Sequence, residues 1–273
     1  MPSPTMFHSG SAARSKIRNP EGNAPRMNVW IAAWRDLQER PHLVYGYMGA
    51  VLLAILPVQF LSDWLAPDIG SNAVPPWWPL FTLACDVYVA LTLAAVQAVG
   101  YCLLGRAIDR PLWRCPSVQD ALRRFYVPWL LVQLCGLVLL RAQVFAARAD
   151  LGDVAVLMEI FLVVYEMVVP LVIICAMHWG RFEWHELGEA VRPILRFPLL
   201  TMQAAALPFI AHVFWLMIMF SLDASEHRSS LLLIGLRLPI AFLDILAFAA
   251  MWRVCMHARN AAAHGDEDDP FDF

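Results

Sequence analysis

The sequence predicts an all-α membrane protein whose six transmembrane helices form three hairpins, each preceded by an amphipathic interfacial helix. The chain is 60% hydrophobic and only 16% charged, whereas a soluble domain is roughly half apolar and a quarter charged. Its apolar residues also form runs of about 20 residues or more, the length that crosses the hydrocarbon of a bilayer. These runs are 43–65, 78–104, 125–147, 154–180, 198–222 and 230–256.

The basic residues predict the orientation of these spans. Sixteen of the 20 Lys and Arg residues lie before the first run, after the second, after the fourth, or at the end of the sixth. Only Arg148 and Arg228 lie in the other connections, and Arg141 and Arg237 lie inside runs. Because basic residues collect on the cytoplasmic side of a membrane, we expect a multi-pass protein of a bacterial inner membrane with both termini in the cytoplasm.

The two ends of the chain differ in composition from the apolar region. Residues 1–27 are polar and rich in Pro, Ser, Gly and Arg, and residues 259–273 are acidic. Such segments lack the apolar surface needed to fold. The sequence therefore predicts a transmembrane domain over residues 28–258 between two disordered cytoplasmic tails.

Three amphipathic stretches precede pairs of apolar runs. The first places Trp30 and Trp34 on its apolar face, and two tryptophans on one face suit a helix in the headgroup layer. The second begins at Ser117, a candidate N-cap with Asp120 three residues later. Its apolar face includes Leu122 and Phe125, and that of the third includes Leu187 and Val191.

Each stretch has an acid followed by an arginine, and then a proline where the apolar run begins: Pro41, Pro128 and Pro198. This arrangement favours an internal threefold repeat. The alternative is a chance similarity among amphipathic cytoplasmic segments.

The second and third units carry a family resemblance. In each of them a short motif, Asp120-Ala121-Leu122-Arg123-Arg124 or Glu189-Ala190-Val191-Arg192, leads into a proline-started span. Over residues 115–210 the chain resembles a group of bacterial six-span proteins. The group includes the YciC-like proteins and the membrane domain that accompanies some glycerophosphodiester phosphodiesterases. The resemblance implies the six-span architecture. The phosphodiesterase activity is not implied, because the chain has no soluble phosphodiesterase domain.

Six charged residues lie well inside the apolar runs, where they should face the bundle interior and find partners. They are Asp86, Arg141, Glu159, Glu166, Arg237 and Asp244. Arg141 and Glu159 are equally distant from the turn at Asp150, so we expect them to pair at one depth. The set is either a structural network that fixes helix register or a polar path for a proton, ion or small solute. Glu166, Asp244 and His212 are the candidates for such a path.

Other chemistry is sparse. His178 and His185 flank a Trp-Gly segment, which predicts solvated residues at the cytoplasmic interface rather than metal ligands. The six cysteines are scattered and predict small buried thiols. The sequence contains no catalytic motif and predicts no metal or cofactor.

We therefore expect a non-enzymatic protein that contacts the bilayer and other membrane proteins, not nucleic acid, and assists membrane or envelope organisation. The alternative is a small secondary transporter or channel that uses the buried acids. An intramembrane enzyme ranks third.

Overall fold

The computed structural model describes residues 28–65, 75–109, 117–180, 187–223 and 230–263. Within the last three helices it describes the backbone but not the side chains of residues 187, 189, 190, 215, 216, 218–223, 230–234, 236 and 263. The predicted tail 1–27, the acidic residues 264–273 and His185 lie outside the described residues, as does the Leu187 side chain.

The described part of the chain is helical throughout and contains no strand. Its eight helices are α1 (Val29–Gln38), α2 (Pro41–Leu65), α3 (Trp78–Ile108), α4 (Val118–Arg148), α5 (Gly152–Trp179), α6 (Leu187–Arg196), α7 (Pro198–Asp223) and α8 (Ser230–Ala263).

Several helix ends follow from local sequence. Pro41 and Pro198 open α2 and α7, where their missing N–H groups need no partner. The predicted N-cap is confirmed, because Ser117 Oγ accepts a hydrogen bond of 3.2 Å from the Asp120 backbone N–H. Gly180 closes α5 in the left-handed conformation, which glycine adopts without steric cost.

Two boundaries differ from the prediction. The amphipathic stretch after Ser117 is not a separate helix, because α4 continues through Pro128 to Arg148. A proline about three turns into a helix leaves one backbone bond unmade, and apolar surroundings favour continuing the helix over exposing its ends. The last helix also extends to Ala263, through residues 259–263 that the sequence assigns to the tail.

Five helices within the described ranges are long and apolar enough to span a membrane: α2, α3, α4, α5 and the part Arg237–Ala262 of α8. The described apolar portion of α7, Pro198–Phe214, is shorter than this limit. These helices are consistent with an integral membrane protein, and the sixth span stays a prediction.

Helix α8 lies at the centre of the bundle. It packs against α1, α2, α3, α5, α6 and α7, whereas α4 packs against α3 and α5. We call the half of the bundle near α1, α6 and the end of α8 the proximal half. The half near the α4–α5 turn at residues 149–151 is the distal half.

The tightly packed core lies in the proximal half. On α8 the residues from Ile245 to Met251 are buried almost without interruption, and on α5 the buried block is Ile173–His178. The distal half contains only scattered buried residues, including Cys85, Ala146 and Leu162. The outer ends of the helices therefore enclose their interior-facing side chains less completely.

Aromatic rings fill the centre of this core. Tyr101 stacks on Tyr47 and on Phe248, with ring centroids 5.4 Å and 4.3 Å apart. The close approach of Tyr47 to α3 requires a glycine, because a Cβ at Gly100 would lie 2.6 Å from Tyr47 Cδ2. The glycine thus sets the distance between α2 and α3.

Gly100→Ala is expected to lower the free energy of unfolding by about 1–3 kcal/mol, since overpacking a filled core forces a ring or helix to shift. Thermal unfolding in detergent measures the change. Gly49→Ala on α2 is the matched control, because no atom lies within 4 Å of its Cβ position. Equal melting temperatures for the two variants would contradict this packing.

Candidate intramembrane polar site

The charged residues inside the helices group into separate contacts. Arg141 Nη2 on α4 donates to Asp86 Oδ2 on α3. Deeper in the same interface, Gln133 Nε2 on α4 donates to Gln97 Oε1 on α3 over 2.8 Å. These two contacts also show that α3 and α4 run antiparallel.

The predicted pairing of Arg141 with Glu159 is wrong. Arg141 contacts Asp86, and Glu159 contacts His212 on α7. Equal distance from the α4–α5 turn fixes the depth of two residues, but not the direction in which their side chains leave the two helices. Arg141 lies about two turns beyond Gln133 on the side of α4 that faces α3.

A histidine lies between two glutamates at the α5–α7 interface. His212 Nδ1 is 2.8 Å from Glu166 Oε2, and His212 Nε2 is 3.2 Å from Glu159 Oε1. The two glutamates are about two helical turns apart on one face of α5, so one imidazole ring reaches both. We call Glu159, Glu166 and His212 the triad.

The contacts of the triad require an additional proton. A neutral imidazole has one N–H and one bare nitrogen, and a carboxylate has no proton to give to that nitrogen. For both ring nitrogens to contact carboxyl oxygens, the ring must be protonated or one glutamate must be. The site therefore holds one proton more than two carboxylates and a neutral histidine.

The triad is buried at the histidine and open at the acids. The His212 side chain is 8% exposed, whereas those of Glu159 and Glu166 are 30% and 46% exposed. Glu166 nevertheless lies about three turns from the buried Met177 on the same face of α5, so this face points to the bundle interior. The face that carries the two acids is thus less enclosed in the distal half than at Met177.

Asp86 and Arg237 extend this interior-facing surface. Asp86 lies about three turns before Gln97 on α3, and Arg237 about two turns before Asp244 on α8, so each shares the inward side of its helix. The described contacts in the distal half stay separate: Arg141 binds Asp86, and His212 binds Glu159 and Glu166.

Asp244 belongs to a different contact from the triad. Tyr47 Oη on α2 donates to Asp244 Oδ2, and the Tyr47 and Tyr101 hydroxyl oxygens are 3.2 Å apart. Gln97 adds a further side-chain contact to this carboxyl group. Of the predicted path residues, Glu166 and His212 are thus together, while Asp244 joins α8 to α2 and α3.

Two ion pairs at the proximal end escape the sequence analysis. Asp36 on α1 is buried and accepts two hydrogen bonds from Arg253 on α8, of which that from Nε is 2.5 Å. Asp109, at the end of α3, is also buried and accepts from Arg259 Nη1 on α8 over 2.7 Å. The partners in each pair are far apart in the sequence, and each acid taken alone resembles a surface residue. The sequence therefore does not reveal either pair.

The predicted interfacial faces have different surroundings. Val29, Ala33 and Leu37 of α1 are buried in the bundle, whereas Trp30 and Trp34 stay partly exposed at the edge of this face. Trp30 Nε1 donates to the Gln203 carbonyl oxygen of α7 over 2.6 Å. The contact of Trp30, Trp34 and Val191 with lipid stays a prediction. On α4, Phe125 is buried in the core and Leu122 is partly buried.

The prediction for His178 is wrong. His178 is only 7% exposed and packs edge-on against Trp252 with ring centroids 4.8 Å apart. Helix α8 extends past the end of α5 and covers this histidine. Among the described residues, no three His, Cys, Asp or Glu side chains are arranged to hold a metal ion.

Comparison of the chain with protein-family models, curated proteins and solved structures found no match. The resemblance to the YciC-like group therefore stays a prediction.

Arg253→Leu is expected to destabilise the protein by roughly 3–5 kcal/mol, because it leaves the Asp36 carboxylate buried without its partner. Thermal unfolding in detergent measures the loss. The double variant Asp36→Leu/Arg253→Leu should recover much of it, and Arg35→Leu at an exposed position of α1 is the control. A double variant as unstable as the sum of the single variants would show that the two residues are uncoupled.

A second cycle tests the revised pairing in the distal half. Arg141→Leu and Asp86→Leu should each reduce the folded yield in detergent, and the double variant should restore it, because neither charge is then left alone. The matched double variant Arg141→Leu/Glu159→Leu should show no such recovery. Recovery in the Arg141/Glu159 double variant but not in the Arg141/Asp86 double variant would show that Arg141 pairs with Glu159.

Proposed function

We propose that this chain is a small secondary transporter of a bacterial inner membrane that binds and releases a proton at the triad. In this proposal six helices cross the membrane as three hairpins, and both termini are cytoplasmic, as the basic residues predict. The proximal half is then the cytoplasmic half.

The observation that supports this function is the arrangement of His212 between Glu159 and Glu166. Its two contacts require one proton more than two carboxylates and a neutral histidine hold, and its acids are the more exposed members. A charged group inside a membrane is costly unless it serves a pathway or is fully paired. Exposed acids on an interior helix face fit a pathway better than they fit a sealed structural network.

The packing supports access from one side. The interior of the distal half carries the exposed acids, whereas the proximal half is filled by buried residues of α3, α5 and α8. A transporter must close one side of its site while the other is open. In this proposal the arrangement is the state in which the triad is open to the distal side.

A second function is favoured by a different observation. Trp30, Ile31 and Trp34 of α1 are exposed beside Leu199 and Met202 of α7, which are exposed as well. This apolar surface sits on a helix that is fixed to α8 by Asp36 and Arg253. A rigid aromatic surface at this level suits lipid headgroups or a membrane partner, as expected for a non-enzymatic role in membrane organisation.

Reconstituted vesicles test the proposed transport. Wild-type protein should relax an imposed pH gradient, followed by an enclosed pH-sensitive dye, faster than empty vesicles. Glu166→Gln should slow this relaxation by on the order of tenfold or more, because an amide cannot take up the proton. Glu39→Gln, at an exposed acid of the proximal end, is the matched control and should leave the rate unchanged.

Folded yield and melting temperature of each variant separate loss of transport from loss of structure. The transport proposal would be refuted if wild-type vesicles showed no proton flux, or if Glu166→Gln left the flux unchanged. Either result would favour the role in membrane organisation.

A further inference from the structure

Buried polar groups without partners are concentrated at one junction of the proximal half. Within the described residues, the buried side-chain atoms that lack a hydrogen bond are His178 Nδ1 and Nε2, Thr201 Oγ1 and Trp252 Nε1. They belong to α5, α7 and α8, in that order. Leaving such atoms buried without a partner is unfavourable, and native proteins contain few of them.

These groups lie at one level of the bundle. The His178 and Trp252 rings are in contact. Phe197 at the start of α7 contacts His257 of α8 with ring centroids 4.8 Å apart. Thr201 follows Phe197 by about one turn, which places it near the level of Trp252 on the antiparallel helix.

Two thiols lie beside the unpartnered groups. Cys175 Sγ on α5 is 3.2 Å from Cys255 Sγ on α8, and both side chains are free thiols that are fully buried. Cys175 precedes His178 by about one turn, and Cys255 follows Trp252 by about one turn. We call Cys175, His178, Thr201, Trp252 and Cys255 the proximal seam.

Helices α5 and α7 carry residues of both the seam and the triad, and each helix has a proline between them. On α5, Pro170 lies between Glu166 and Cys175. On α7, Pro208 lies between Thr201 and His212. A proline inside a helix removes one backbone hydrogen bond and is the usual site of a bend. Each of these two helices therefore has a position between the seam and the triad at which it can bend.

Helix α8 is fixed on its other sides. Its residues Asp244, Arg253 and Arg259 are bonded to α2, α1 and α3. The contacts described across the seam are thiol–thiol and ring–ring contacts, and none of them is an ion pair. Separation along the seam would leave the bonds from α8 to α1, α2 and α3 intact, but it would have to break the Trp30 Nε1 bond to the Gln203 carbonyl oxygen of α7.

We propose that the proximal seam is the gate that opens the triad to the proximal side. The proximal parts of α5 and α7 bend away from α8 at Pro170 and Pro208, and water enters the seam. Water then bonds to His178, Thr201 and Trp252, which offsets the lost packing. The gate rests on the proposed transport function and supplies its second access state.

The native cysteines report on this opening. In vesicle-reconstituted protein with Cys85, Cys102, Cys115 and Cys135 changed to alanine, a charged, membrane-impermeant methanethiosulfonate reagent is added at the proximal face. Intact mass measures the labelling of Cys175 and Cys255. The reference is a variant that retains Cys102 alone, which is buried on α3 outside the seam. Labelling at the seam should be on the order of tenfold faster, because it needs only local opening.

A drier seam should open less often. Thr201→Val keeps the shape of the side chain and removes the unpartnered hydroxyl. With this change the labelling rate should fall toward that of Cys102, while the melting temperature stays equal or rises. Seam thiols that react as slowly as Cys102 in the otherwise native chain would overturn the gate.

Cross-linking of the two seam thiols is an independent test of the gate. Diamide oxidises the two thiols to a Cys175–Cys255 disulfide, and its azo bond takes up the two electrons and two protons as a hydrazine. The disulfide should block proton flux, dithiothreitol should restore it, and Cys255→Ala protein should be insensitive. Fast labelling without proton flux would support opening of the seam and refute the transport proposal. Proton flux that persists after the disulfide has formed would refute the gate and leave the transport proposal standing.

Discussion

The whole fold depends on how polar groups are satisfied where water is excluded. Helix α8 solves most of this problem, because its Asp244, Arg253 and Arg259 bond to α2, α1 and α3. Each contact gives a charged or acidic side chain a partner within apolar surroundings and fixes one neighbouring helix in place. The aromatic stack of Tyr47, Tyr101 and Phe248 then packs around the Asp244 contact. Register and packing in the proximal half follow from these bonds.

The two halves of the bundle are built for different purposes. The proximal half combines buried ion pairs with dense packing, whereas the distal half presents partly exposed charges on interior helix faces. The prolines of α5 and α7 lie near the boundary between them. In the proposed gate, α1, α2, α3 and α8 form the fixed part, and α5 and α7 bend at their prolines once the Trp30–Gln203 bond to α1 is released.

Much of the architecture could be predicted because it depends on local sequence. The apolar runs, the proline starts at Pro41 and Pro198 and the Ser117 cap are all short-range features. The predicted end of the last helix was less accurate, because packing of α8 extends the helix beyond its apolar run. The partners of charged residues were harder still. The depth of Arg141 and Glu159 follows from their distance to a turn, but their direction depends on which neighbours pack beside each helix. His178 and Asp36 look like surface residues until distant parts of α8 cover them.

The bond between Asp36 and Arg253 joins the first described helix to the last across most of the chain. During synthesis, α1, α2 and α3 emerge long before α8. Until then Asp36 and Asp109 have no arginine, and Tyr47 has no carboxylate to bond. Early helices can enter the bilayer one after another, but they cannot reach their final arrangement alone. The final arrangement of α1, α2 and α3 therefore waits for α8, the last described helix, and a chain that lacks α8 leaves Asp36 and Asp109 without the arginines that bind them.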